Sequence, residues 1–179
     1  MRRTLPLSAL VAASALAVFA PSAAADNNVV TGTTVGSLSL TVTTPTTTLT
    51  NLTPGASASN LTPAAMAIVA TDAWSITIRD ANNATSSSPG HLVAATPGLG
   101  LCSGSTNALA NALSFTASAA GGSTLTGQSG TVPAGSSGAA VASGTGSQVA
   151  NIAYSQPVGS TEQLRTGCVY SMTAEYQVS

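Results

Sequence analysis

Two stretches of the chain alternate apolar and polar residues with the two-residue period of a half-buried strand. In the last twelve residues, Cys168 to Ser179, the side chains of Tyr170, Met172, Ala174, Tyr176 and Val178 fall on one side, and Ser171, Thr173, Glu175 and Gln177 on the other. This pattern predicts one closing strand of an antiparallel sheet. In the middle of the chain, Trp74, Ile76 and Ile78 alternate with Ser75, Thr77 and Arg79 and predict a second strand with its apolar face inward. Weaker patterns fill the remainder. Leu38, Leu40 and Val42 alternate up to Pro45, Thr46 to Leu52 is a β-branched run ended by turn chemistry through Gly55, and Met66 to Ala70 is apolar. Leu113, Phe115 and Ala117 alternate again, Val149 to Tyr154 resumes strand character, and Gln156 to Gly159 reads as a turn. Asn107 to Leu113, rich in Ala and Leu behind Ser105 and Thr106, predicts one or two turns of helix. Ala119 to Ser147 is nearly all Gly, Ser, Ala and Thr, and predicts long loops with weak small-residue strands inside the same domain. Roughly seven to nine short strands at this spacing predict an all-β fold, an antiparallel two-sheet β-sandwich of immunoglobulin-like class.

The start of the chain changes the picture of where this domain works. Arg2 and Arg3, the apolar run Leu7 to Phe19 and the small residues Ala23 to Ala25 read as an export signal over residues 1–25, leaving a single domain over residues 26–179. The arginine pair resembles a twin-arginine signal without the polar residue before it, so the export route stays open between the general and twin-arginine pathways. No later stretch reaches about 18 apolar residues, so no integral membrane segment is expected once the signal is removed. The expected location is secreted, with any attachment to a surface non-covalent or through a partner.

Charge narrows the partners further. Only 5% of the residues are charged, there is no lysine, and Arg79 and Arg165 are the only cations after the signal. Such a surface has no basic patch to neutralise phosphates, which argues against nucleic acid and anionic lipid. Aromatic residues make up 3% of the chain, so the core is expected to be built from Ala, Val, Leu and Ile, which bury less area each. Cys102 and Cys168 are the only cysteines, and in an exported chain such a pair predicts one disulfide. Closing that loop would contribute roughly 4 kcal/mol in the chain-entropy treatment.

Candidate chemistry is sparse. His91 is the only histidine, and with Asp72 or Asp80 and a serine it could be drawn as a triad, but no G-x-S-x-G context supports one. Asp80, Asn82 and Asn83 cluster oxygen ligands of the kind calcium accepts, without the spacing of a calcium loop; a turn closed by Asx hydrogen bonds is the simpler expectation. Glu162 and Glu175 as a glycosidase pair lack anything that places them together. Thr43 to Thr48 lacks the repeated register of an ice- or sugar-binding array. Asn51, Asn60 and Asn83 head N-x-T triplets and are expected bare in a bacterial host. Trp74 among isoleucines reads as a core residue more readily than as a sugar platform. No catalytic residue, metal or cofactor is expected, and the chain reads as a non-enzyme.

The strands Ala73 to Asp80 and Gly167 to Val178 resemble the two signature strands of the WxL-type surface domains of Gram-positive bacteria, with Trp74-Ser75-Ile76 at the mid-domain motif and Tyr176-Gln177-Val178 at the terminal one. Ile76 stands where that family has Leu, and Tyr176 and Val178 replace both terminal anchors. The resemblance implies a secreted cell-surface sandwich in which Trp74, Ile76, Tyr170, Tyr176 and Val178 are motif and core positions, and non-covalent association with the cell wall or with other surface proteins. A second resemblance, to pilin-like and spore-coat-like sandwiches, implies a structural subunit and a homo-oligomer formed through edge strands. Mass spectrometry of the exported protein is expected to find Asp26 as its first residue; a chain that still begins at Met1 would contradict the signal.

Overall fold

The computed structural model describes residues 29–30, 36–82, 88–95, 108–164 and 168–179. Among them there is no helix, and none long and apolar enough to cross a membrane. The fold is all-β and every strand pairing is antiparallel.

The larger sheet is organised on β11 (Gln148–Pro157), ten residues long, in which Ala150, Ile152, Tyr154 and Gln156 are buried. One side of β11 pairs with β7 (Ser114–Ala119). Its other side pairs first with β4 (Ala64–Ala70) and then with β3 (Ser57–Ser59). Beyond β4 lie β2 (Leu38–Val42) and β1 (Val29–Val30), and beyond β7 lies β9 (Ser129–Thr131). The break between β3 and β4 falls at Asn60-Leu61-Thr62-Pro63, where proline has no N–H to offer the ladder. Asn60 fills the gap with its side chain: Oδ1 accepts from the Tyr154 N–H at 2.8 Å, and Nδ2 donates to the carbonyls of Thr62 at 2.8 Å and Ile152 at 3.4 Å. The nitrogen that an N-linked sugar would need is therefore already bonded.

The smaller sheet is organised on β5 (Ala73–Asp80), flanked by β10 (Ala139–Thr145) and β13 (Ala174–Val178), with β8 (Thr126–Gly127) outside β10. A third, two-stranded sheet joins β6 (Val93–Ala95) to β12 (Val169–Ser171). Trp74, Ile76 and Ile78 of β5 share one apolar core with Met66, Ile68 and Ile152 of the larger sheet. Trp74 is 3% exposed and donates its indole N–H to the Gly146 carbonyl at 2.8 Å, so it is a core residue with its one polar atom bonded. Its ring lies so close to Gly144 that a Cβ there would sit 2.7 Å from it.

The two large sheets are joined along one side by a strand that changes allegiance. Gln128, between β8 and β9, donates its N–H to Val141 of the smaller sheet and accepts from Ala117 of the larger one, both at 2.8 Å. A Cβ at Gly127 would lie 2.1 Å from the Ala117 carbonyl oxygen, which only glycine avoids. Along the opposite side, no strand among the described residues joins β13 to β2.

Several expectations need correction. Thirteen strands are described, more than the seven to nine expected: the Gly/Ser/Ala segment contributes β8, β9 and β10, and β1, β3, β6 and β12 are strands of only two or three residues. The C-terminal alternation holds, yet it is not one strand: β12 and β13 belong to different sheets and break at Met172-Thr173. Thr46 to Leu52 is not a strand, since the opposing chain is itself interrupted between Ser59 and Ala64 and meets it through the Leu49–Asn60 bridge, the bond from Thr50 N–H to the Ser59 carbonyl and the bond from Ser59 N–H to the Thr50 hydroxyl. The stretch 108–113 is not helical. Its Leu109 and Leu113 are buried in the core, and their N–H groups bond the carbonyls of Leu92 and Gly90, so tertiary partners override a segment too short to nucleate a helix. Gln156 and Pro157 belong to β11, so the expected turn begins only after them. Asn83 and Cys102 lie outside the described residues.

The core's dependence on Ile152 gives a direct measurement. Ile152→Ala is expected to lower unfolding stability by about 2–5 kcal/mol in urea denaturation, whereas Val69→Ala, at a side chain 51% exposed, should change it little; equal effects would contradict the core assignment.

Candidate functional site

The open side between β13 and β2 is a cleft of ≈ 2180 Å³. Pockets for small molecules run to about 300–1,000 Å³, so this cleft has room for an extended occupant. On one wall stand Leu40 and Val42 of β2 with Leu49 and Leu52 of the irregular chain that follows; on the other stand Tyr176 and Val178 of β13. Thr46, Thr48, Asn51 and Thr173 lie along the same cleft and give it hydroxyl and amide groups without charge.

Two carboxylates line the cleft, and both are engaged. Glu175 is bound by Arg79 in a two-point contact, Nη2 to Oε1 at 2.7 Å and Nε to Oε2 at 3.1 Å, which raises the pKa of Arg79 chiefly through that hydrogen bond. Glu162 accepts from the N–H groups of Ala110 at 2.6 Å and Gly159 at 3.0 Å. The cleft thus holds both members of the glycosidase pair weighed in the sequence, with every carboxylate oxygen committed to fixing the chain.

A hydroxyl pair crosses the interior at this cleft. Tyr154 of β11 and Tyr176 of β13 touch through their phenolic oxygens, tying the larger sheet to the smaller. Burial pushes the pKa of both upward; for Tyr176 the neighbouring Tyr154 hydroxyl adds to that, while for Tyr154 the hydrogen bond to Tyr176 acts in the opposite direction.

Of the residues singled out in the sequence, Tyr170, Tyr176, Val178 and Cys168 line the cleft, while Trp74 and Ile76 are buried behind it. Among the described residues no cysteine is free. His91 is held by its ring: Nδ1 lies 2.6 Å from the Leu109 carbonyl oxygen, which can only accept, so Nδ1 carries the proton. Asp80 is 2% exposed and accepts from the N–H groups of Asn82 and Gly90, each at 2.9 Å, so the Asx-closed turn is present. Asp72 accepts from the Thr71 hydroxyl at 3.1 Å. No group of three or more His, Cys, Asp or Glu residues able to hold a metal occurs among the described residues. Sequence reasoning missed Tyr154 and the wall formed by Leu40, Val42, Leu49 and Leu52. Only the alternation of Tyr154 with Ile152 and Ala150 signalled an inward position.

No family model, curated protein or solved structure matches the chain.

Because the two tyrosines keep their protons longer in the folded than in the unfolded chain, their contribution to stability is complete below the unfolded value of about 10 and declines as pH rises past it. The melting temperature is expected to fall more steeply above that pH in the natural protein than in the Tyr154→Phe/Tyr176→Phe double variant. Parallel declines would contradict the buried pair.

Proposed function

We propose that this protein is a non-catalytic, secreted cell-envelope component, a WxL-like β-sandwich of immunoglobulin-like class stapled by a Cys102–Cys168 disulfide, which associates non-covalently with cell-wall polymer or surface proteins. The single observation that carries this reading is the long cleft beside β13 and β2, lined by apolar and hydroxyl side chains with Glu162 and Glu175 as the two acidic side chains in its lining. Its apolar walls and neutral hydroxyl rim suit an extended, uncharged partner, and its carboxylates are occupied in holding the fold. The export signal, the scarcity of charge and the resemblance of the strands at Trp74 and Tyr176 support the same reading.

A second reading, a pilin-like or spore-coat-like assembly subunit, draws support from the unpaired outer edge of β13 among the described residues. It requires oligomers that grow with concentration, and light scattering that stays monomeric at high concentration would remove it.

The mature protein is expected to pellet with isolated native Gram-positive cell walls and to stay bound when salt is raised, since screening weakens only attraction between charges. Thr48→Trp, which crowds the cleft from an exposed rim position, is expected to reduce the pelleted fraction several-fold. No pelleting across several wall preparations, or release by moderate salt, would contradict the reading.

A further inference from the structure

We infer that the outer face of the larger sheet is a self-association surface, on which a second copy of this chain packs face to face about a two-fold axis. The inference makes no use of the cleft and stands or falls apart from the wall-binding reading.

Strand alternation separates the two faces of this sheet. In β11 the residues Ala150, Ile152, Tyr154 and Gln156 point into the core, so Val149, Asn151 and Ala153 point out of it. In β4 the buried Ala64, Met66, Ile68 and Ala70 leave Ala65, Ala67 and Val69 on the outer face. The pairing of the two strands sets Val149 opposite Ala67 and Asn151 opposite Ala65, which makes Val69 the diagonal neighbour of Val149. Val69, 51% exposed, and Val149, 38% exposed, are two of the four large apolar side chains that are exposed among the described residues, and they meet on this face. β4 and β11 are also the middle strands of the sheet, and the strands beside them turn hydroxyls to the same face, Thr41 from β2 and Thr116 from β7. An apolar centre inside a neutral polar rim is the anatomy of a protein–protein interface.

Charge, hydrogen bonding, shape and area together select a second copy as the occupant. β2, β4, β11, β7 and β9 contain no charged residue, so one face meets its like without repulsion, whereas a charged partner would lose hydration and gain no counter-charge. Asn151, at the centre, makes no side-chain hydrogen bond among the described residues. Its amide carries both a donor and an acceptor, so two copies of it beside a two-fold axis satisfy each other. Both copies carry the same twist, and sheets of like twist pack at about 30° as the layers of a sandwich do. Five strands about 4.8 Å apart, with lengths rising to about 33 Å at β11, give a footprint of roughly 24 by 25 Å, or about 600 Å² per copy. The pair would bury roughly 1,200 Å², the lower end of specific interfaces, which is the area of a weak, reversible dimer.

The test is sedimentation velocity of the mature protein from micromolar to millimolar concentration. A monomer–dimer equilibrium with no larger species is expected, because a two-fold contact uses the same face of both copies and closes on itself. Val149→Lys, which sets like charges facing each other near the axis, is expected to weaken dimerisation about tenfold or more. Asn151→Asp should do the same with the opposite sign of charge, so that one variant failing to fold leaves the other to decide. Gln177→Lys, at an exposed position on the smaller sheet, should leave the dimer as it was. The inference falls if the protein is monomeric throughout, if the dimer survives Val149→Lys and Asn151→Asp, or if Gln177→Lys abolishes it. Oligomers that keep growing with concentration would also overturn it and place the contact at a strand edge. A dimer that does not pellet with cell walls leaves this inference standing while the wall-binding reading fails; a strict monomer that pellets does the reverse.

Discussion

The fold depends on one apolar interior made from two sheets that are each too poor in large side chains to be stable alone. Trp74, Ile76 and Ile78 on β5 meet Met66, Ile68 and Ile152 on the larger sheet, and small residues such as Ala64, Ala117 and Ala150 fill the space between them. With so few aromatic groups, close approach takes the place of bulk. Gly144 lets the indole of Trp74 lie against β10, and Gly127 lets β8 come into contact with the backbone of β7. Small residues here are therefore a condition of packing, because each marks a point where one backbone must approach another or a ring.

From that interior follows an asymmetry between the two margins where the sheets meet. Along one margin the chain at Gln128 hydrogen-bonds to both sheets and leaves no gap between them. Along the other, no strand pairing among the described residues joins β13 to β2, and the Tyr154–Tyr176 hydroxyl pair ties β11 to β13 across the interior. Polar groups elsewhere are committed to the chain itself: Asp80 closes a turn, Asn60 spans a break in the ladder, Glu162 fixes two loops and Arg79 holds Glu175. Among the buried side chains of the described residues Gln156 is the exception, with Oε1 unpaired although its Nε2 donates to the carbonyls of Asn111 and Pro157. The cleft is thus lined chiefly by apolar side chains and neutral hydroxyl groups, with its two glutamates bonded within the chain.

How much of this the sequence disclosed depended on side-chain size. The alternation at Trp74, Ile76 and Ile78 was legible because large apolar residues with polar neighbours leave no other face to bury, and β5 follows it residue for residue. The C-terminal alternation was equally clear, but a continuous pattern carries no mark of a change of partner, so the break at Met172-Thr173 was not legible. In Ala139–Thr145 the contrast between faces is only that of alanine and valine against serine and glycine, too weak to signal that β10 pairs directly with β5. Thr46 to Leu52 shows the opposite failure: a strong β-branched run had no uninterrupted strand opposite it. The cleft was illegible for a further reason, since an unpaired edge is a property of which strands are neighbours and not of any residue in them.

The measurement that bears most directly on this architecture is the pattern of backbone contacts between strands in solution, read by nuclear Overhauser effects on the mature protein. The structure predicts contacts from Gln128 to both Ala117 and Val141, and a hydrogen-bonded ladder from Ala174 to Val178 with β5 and none with β2. A continuous ladder of backbone contacts between β13 and β2, or the loss of either contact at Gln128, would contradict a core closed on one side and open on the other.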